Sequence, residues 1–98
     1  MNDRELLELA AKAIGTVFVD GESWDEGAGW NPLTDDGDAL RLAVKLKLLV
    51  MPSEDGSIVL VDSYSTHEHR AENAKQDPYA ATRRVIVRAA AEIGKGMK

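Results

Sequence analysis

Hydrophobic residues recur at helical spacing in two terminal stretches of the chain. In residues 2–14 apolar positions lie three to four residues apart, and Asn2 or Asp3 stands where an N-cap is expected. The same spacing follows Asp77-Pro78, in which Asp77 suits the N-cap and Pro78 the first helical position. The pattern therefore predicts an amphipathic helix at each end of the chain.

A third helix is predicted over about residues 35–48, and it is apolar on two sides. Thr34 is its expected N-cap. One apolar stripe contains Ala39, Leu42, Ala43, Leu46 and Leu49, and the second contains Leu40, Val44 and Leu48. A helix that is apolar on two sides needs cover on two sides, from its own domain or from a second subunit. The second stripe is therefore a candidate dimer face, and the chain a candidate homodimer.

Short apolar runs predict three strands. Residues 16–19 are rich in β-branched side chains, and residues 49–51 and 57–61 are joined by a segment containing Asp55-Gly56, a hairpin signal. The run 57–61 does not alternate, so both of its faces should be buried. No element is expected in the polar residues 62–76, which lack clear periodicity.

These elements predict one α+β domain over residues 1–98, with the order α-β-α-β-β-α. The sheet should have three strands, with helices packed on both of its faces. A length of 98 residues and a hydrophobic fraction of 44% are typical of a single small globular domain.

The amino-acid composition excludes some kinds of site and disfavours some binding partners. The absence of cysteine excludes disulfides and thiolate metal sites. The net charge of −5 argues against a protein that binds nucleic acid, because such binding depends on neutralising phosphates. No apolar run approaches the roughly 20 residues of a membrane span, and no leader is apparent. We therefore expect no membrane partner and a cytoplasmic location.

Two segments resemble a known family. Residues 30–46 (WNPLTDDGDALRLAVKL) resemble a recurring block in small tailed-phage and prophage proteins, and residues 77–94 (DPYAATRRVIVRAAAEIG) resemble the closing helix of the same proteins. The phage and prophage proteins that these segments resemble belong to the phage ABA-sandwich domain family, which has no assigned biochemical activity. The resemblance implies a phage or prophage origin, and hence the cytoplasm of a bacterial host as the location. It also implies a layered helix–sheet–helix fold. It supplies no catalytic residues, and residues 16–29 and 50–76 lie outside it.

A long polar loop contains two tryptophans with different predicted roles. Trp30 is predicted to fill the core beside the start of the central helix. Trp24 is flanked by Asp25 and Glu26, so it is a candidate exposed anchor for a protein partner. Half-buried packing of Trp24 is an equal alternative.

Two clusters raise the question of a metal site. Asp35-Asp36-Gly37-Asp38 lacks the glutamate that a calcium loop needs at its twelfth position, which is Leu46 when counted from Asp35. These carboxylates are explained by the positive end of the helix dipole. In His67-Glu68-His69, zinc would need a third ligand, and Glu72 is the conceivable one, although a solvated loop is the better interpretation. We predict no metal and no cofactor.

Arg84 and Arg88, with Lys95, form a basic stripe on the last helix. The stripe is either a solvated face or a site for an anionic ligand such as a nucleotide. The stripe contains no aromatic residue on which a nucleotide base could stack. The favoured hypothesis is a non-enzymatic module that binds a host or phage protein. The alternatives are a nucleotide-binding protein that counters host signalling and a dimeric structural protein.

Overall fold

The computed structural model describes residues 1–19, 22–23, 27–63 and 69–97, and it contains three helices and two three-stranded antiparallel sheets. The elements in chain order are α1 (Asp3–Ala13), β1 (Phe18–Val19), β2 (Glu22–Ser23), β3 (Gly27–Ala28), α2 (Asp36–Leu46), β4 (Leu48–Pro52), β5 (Ile58–Ser63), β6 (His69–Asn73) and α3 (Pro78–Lys95). Strands β1–β3 form the small sheet, and β4, β5 and β6, in that order, form the main sheet.

The predicted α+β class and the three-stranded sheet are confirmed, but the element order is corrected. The helices and the main sheet follow the order α-α-β-β-β-α, because the third strand is β6 and not residues 16–19. Strand β6 lies in the segment where no element was expected. Its Arg70 and Glu72 point to α3 and pair with Glu92 and Arg88. Charged residues at the inward positions hide the hydrophobic alternation on which a strand prediction depends.

Helix α3 packs on the inner face of the main sheet, where Val59 and Val61 of β5 are buried. Helix α2 lies beside α3 and contacts β4, and α1 packs on α3 rather than on the sheet. This arrangement places α3 on the inner face of the main sheet, α2 beside α3 and α1 against α3, so the three helices lie on one side of the sheet. It differs from the expected helix–sheet–helix order, in which the sheet is central.

The opposite face of the main sheet is not covered by a helix in the part of the chain that the structure describes. Strand β5 alternates, with Val59, Val61 and Ser63 buried and Ile58 43% exposed. The prediction that both faces of this strand are buried is thus wrong. We call the uncovered side the outer sheet face; its apolar residues are Leu49, Met51, Ile58, Leu60 and Ala71.

The caps of the terminal helices are confirmed. Asn2 and Glu5 form a capping box on α1, and the Asp77 carboxylate accepts from the Ala80 N–H at 3.0 Å, with Pro78 at the first helical position. These local signals act within one turn, which is why the sequence reveals them.

The cap of α2 is Asp35, not Thr34. Its carboxylate accepts from the Asp38 N–H at 2.8 Å. The N–H groups of both Thr34 and Asp35 donate to the Asn31 carbonyl, so a turn occupies residues 31–35 and delays the helix by one residue. Trp30, immediately before this turn, is 3% exposed and its ring lies 5.7 Å from that of Phe18, which confirms its predicted place in the core.

Helix α2 ends earlier than predicted. Lys47 adopts the left-handed conformation with φ 56°, which closes the helix at Leu46. Leu48 therefore begins β4 and packs, half-buried, against the core. The predicted dimer face is corrected accordingly: Leu40 and Val44 share an exposed side of α2, and Leu48 does not belong to it.

Candidate functional site

The predicted partner loop, with Trp24, Asp25 and Glu26, lies outside the described residues. The same holds for His67 and Glu68. The role of Trp24 as an anchor therefore stays a prediction.

The acidic run at the start of α2 is occupied by contacts within the chain. Asp35 caps the helix, Asp36 pairs with Arg83 at 2.6 Å, and Asp38 pairs with Arg41 at 2.6 Å. Across residues 1–19, 22–23, 27–63 and 69–97 there is no group of three or more histidine, aspartate or glutamate side chains placed to hold a metal ion. Within the same ranges, His69 pairs with Asp62 on the outer side of the sheet.

The basic stripe of α3 lies among carboxylates. Arg84 pairs with Asp3 of α1 at 3.1 Å, and Arg88 pairs with Glu72 of β6 at 2.5 Å. A cavity of about 370 Å³ lies between these pairs, and Glu92 also lines it. An anionic ligand would have to separate the arginines from their acidic partners. The arrangement therefore serves the docking of α3 on β6 and α1 better than it serves anion binding.

A more apolar cavity lies between α2 and α3. We call this the α2–α3 groove; its volume is about 360 Å³ and its apolar lining consists of Ala39, Leu40, Ala43, Val50, Tyr79 and Ile86. Leu40 and Tyr79 stand on its opposite sides and are 64% and 72% exposed. The Asp36–Arg83 ion pair closes one end.

The exposed side of α2 continues this apolar surface. Val44 follows Leu40 one turn later and is 67% exposed. An exposed apolar patch of this kind is characteristic of a protein–protein interface. Tyr79 belongs to the first turn of α3, is 72% exposed and adds an aromatic ring to the edge of this surface.

The outer sheet face is the second apolar surface. In the register of the sheet, Met51 lies beside Leu60 and Leu60 beside Ala71, so apolar side chains run across all three strands. Met51 is 39% exposed, and Leu49 and Leu60 are half-buried by their neighbours. The sequence did not reveal this face, because residues 58–61 are apolar at both the inward and the outward positions of the strand.

One carboxyl group with a lowered pKa lies in the turn at one end of the outer sheet face. Hydrogen bonds from Ser57 and Ser53 lower the pKa of Asp55 to about 2, and this carboxylate lies in the turn between β4 and β5. The residue is fully exposed and orders the turn. Its low pKa is therefore a property of the hairpin and not the sign of a reactive group in a pocket.

Comparison with known proteins found no matching family model, no matching curated protein and no matching solved structure. Of the helices that the structure describes, none has the length and apolar character needed to cross a membrane.

Proposed function

We propose that this chain is a non-enzymatic protein-binding module, encoded by a phage or prophage, that acts on a host or phage protein. The observation that carries the proposal is the outer sheet face, where apolar residues lie on three strands and no described helix covers them, while α3 covers the inner face of the same sheet. The phage origin rests on the resemblance of residues 30–46 and 77–94.

An amphipathic helix of the partner is the occupant that fits this face. A sheet in an α+β domain buries an apolar face against helices, as the inner face does here against α3. A helix added to the outer face would complete the helix–sheet–helix order that the resemblance implies. Its apolar stripe would cover Met51, Ile58 and Leu60, and the helix-in-groove mode is a frequent form of peptide recognition.

The acidic residues around the outer sheet face indicate which charge the partner helix should carry. Asp62 lies at one end of the apolar rows, Glu54 and Asp55 lie in the turn at the other, and the net charge of the chain is −5. Lysine or arginine residues beside the apolar stripe of the partner would complement this rim.

Capture from a bacterial lysate tests the proposal with matched variants. The wild type and the control Val17→Glu should retain the same protein, since Val17 is 56% exposed but lies outside both apolar surfaces. The double variant Met51→Glu/Ile58→Glu should lose it, because two carboxylates would be buried without partners. A photo-crosslinker at position 51 should attach to a basic amphipathic segment of the captured protein.

Retention of the partner by the double variant would contradict the assignment of the outer sheet face. Loss on Trp24→Ala together with retention by Met51→Glu/Ile58→Glu would move the binding site to the tryptophan loop. Circular dichroism of each variant checks that the fold is kept.

A further inference from the structure

Helix α2 carries an exposed apolar ridge beside an apolar cavity. The ridge consists of Leu40 and Val44, which are 64% and 67% exposed, and the α2–α3 groove opens directly next to Leu40. We propose that a second copy of this chain docks here, with the two α2 helices antiparallel about a two-fold axis. This inference goes beyond the proposed function, because it concerns a different surface and a different partner.

The first argument is shape. In a two-fold dimer the same patch of each subunit meets itself, so the patch has to contain both a projection and a recess. The ridge supplies the projection and the groove the recess. With the axis between the two ridge residues, Leu40 faces Val44 of the partner subunit, and the ridge of each copy lies against the groove of the other.

The second argument is charge, and it selects a second copy over an unrelated partner. The first turn of α2 contains Asp36 and Asp38, and its C-terminal end contains Lys45 and Lys47. Asp36, 74% exposed, lies one turn before Leu40 on the ridge side of the helix, where it pairs with Arg83 of its own chain, and the exposed Lys47 follows the last turn. In the antiparallel arrangement Asp36 faces the Lys47 end of the partner subunit. The two helix dipoles are also opposed, which favours this arrangement.

The third argument is size. A stable interface buries about 800 Å² on each subunit, and the accessible surface of this chain is 5981 Å². Leu40 and Val44 alone cannot bury an area of this size. In the proposed dimer the interface therefore also includes Tyr79 and the lining of the α2–α3 groove. Tyrosine is enriched among residues that dominate binding energy.

Sedimentation equilibrium over a concentration series tests the proposal directly. The wild type should be a reversible dimer. Val44→Glu should raise the dissociation constant roughly a hundredfold, because the carboxylate would be buried against an apolar ridge. The matched control Val17→Glu should leave the dissociation constant unchanged. A wild type that stays monomeric throughout the series, or a Val44→Glu variant that dimerises like the wild type, would overturn the proposal.

Charge reversal tests the antiparallel geometry. Lys47→Glu should weaken the dimer about tenfold by placing a carboxylate opposite Asp36 of the partner subunit. The double variant Asp36→Lys/Lys47→Glu should recover part of the affinity that Lys47→Glu loses, because opposite charges would face each other across the axis again, while the pair of Asp36 with Arg83 within each copy is lost. Failure of the double variant to recover, with its fold intact by circular dichroism, would overturn this arrangement. Met51→Glu/Ile58→Glu should still dimerise, so the dimer and the partner-binding function are tested separately.

Discussion

At the scale of single residues, Gly94 sets the distance between α1 and α3. A Cβ atom built on Gly94 would overlap the carbonyl oxygen of Leu9 in α1, whereas one built on Gly96 would stay 3.6 Å from the nearest carbonyl oxygen. The atoms that this Cβ would meet are backbone atoms of Leu9 and Ala13, so a larger residue cannot be accommodated by turning a side chain. The packing of the two helices therefore depends on this position having no side chain.

Gly94→Ala should destabilise the protein, although alanine is intrinsically the better helix former. The overlap with Leu9 forces α1 and α3 apart, and overpacking of this kind costs about 1–3 kcal/mol. Urea unfolding measures the loss. Gly96→Ala is the control and should change the free energy of unfolding little; equal effects of the two substitutions would contradict the close approach of the helices.

Asp55 is the second residue with a structural role that its sequence position alone does not reveal. Its carboxylate accepts from the Ser57 hydroxyl at 2.7 Å, the Ser57 N–H at 3.0 Å and the Ser53 hydroxyl at 2.9 Å. Together these hydrogen bonds lower the pKa of Asp55 from 3.8 to about 2. The charged form is therefore favoured in the folded turn.

The sign of the pH dependence follows. A lowered pKa stabilises the fold above the unfolded value of 3.8, and this contribution disappears as the pH falls to about 2. Asp55→Asn should be less stable than the wild type at neutral pH. The difference in the free energy of unfolding should shrink as the pH falls from 3.8 to about 2. Unfolding at a series of pH values measures it. Glu54→Gln removes the same charge from the same turn and should keep the wild-type pH dependence.

At the scale of elements, β6 and α3 are joined by charged side chains where a sheet and a helix usually meet through apolar ones. Arg88 and Glu72 are 2.5 Å apart, with 40% and 22% of their side chains exposed, and Arg70 and Glu92 are 3.0 Å apart. Partial exposure lets water share in their solvation, which limits both the cost of burial and the strength of the pairs. These pairs position an edge strand whose apolar content is low.

A double-mutant cycle of Glu72→Ala and Arg88→Ala should give a coupling free energy of about 1 kcal/mol, because the pair is partly exposed. Urea unfolding of the wild type, both single variants and the double variant supplies the four values. The exposed pair Arg4 and Glu8 within α1 is the control and should couple by only about 0.3–0.5 kcal/mol. Additive effects at Glu72 and Arg88 would mean that the pair does not join β6 to α3.

At the scale of the whole molecule, a domain of 98 residues has a free energy of unfolding of roughly 5–15 kcal/mol. Association of two copies would add to this stability by mass action. If the proposed dimer forms through Leu40 and Val44, its association therefore contributes to the stability of the fold.

The melting temperature of the wild type should therefore rise with protein concentration, as for any fold stabilised by dimerisation. Val44→Glu should melt at a temperature that is independent of concentration, since its association is weak. Calorimetry at several concentrations measures both. A wild-type melting temperature that does not move with concentration would contradict the dimer.

The sequence by itself determined the elements whose signals are local. The caps at Asn2 and Asp77 act within one turn, and Trp30 is an indole large enough that burial dominates its placement. The α+β class also follows from sequence, because helical and strand periodicities alternate along the chain. The exposed stripe of Leu40 and Val44 was visible as a second apolar side of α2.

Tertiary structure alone decided the third strand, the layer order and the surfaces. Arg70 and Glu72 become inward residues only when Glu92 and Arg88 of a distant helix meet them, so no pattern within β6 could reveal the strand. Among the described residues no helix covers the outer sheet face, because α1 packs on α3 instead of on the sheet. The periodicity of α1 does not distinguish between these two apolar partners. Local hydrogen bonding and hydrophobic spacing specify elements, but contacts between residues far apart in sequence decide which faces those elements share.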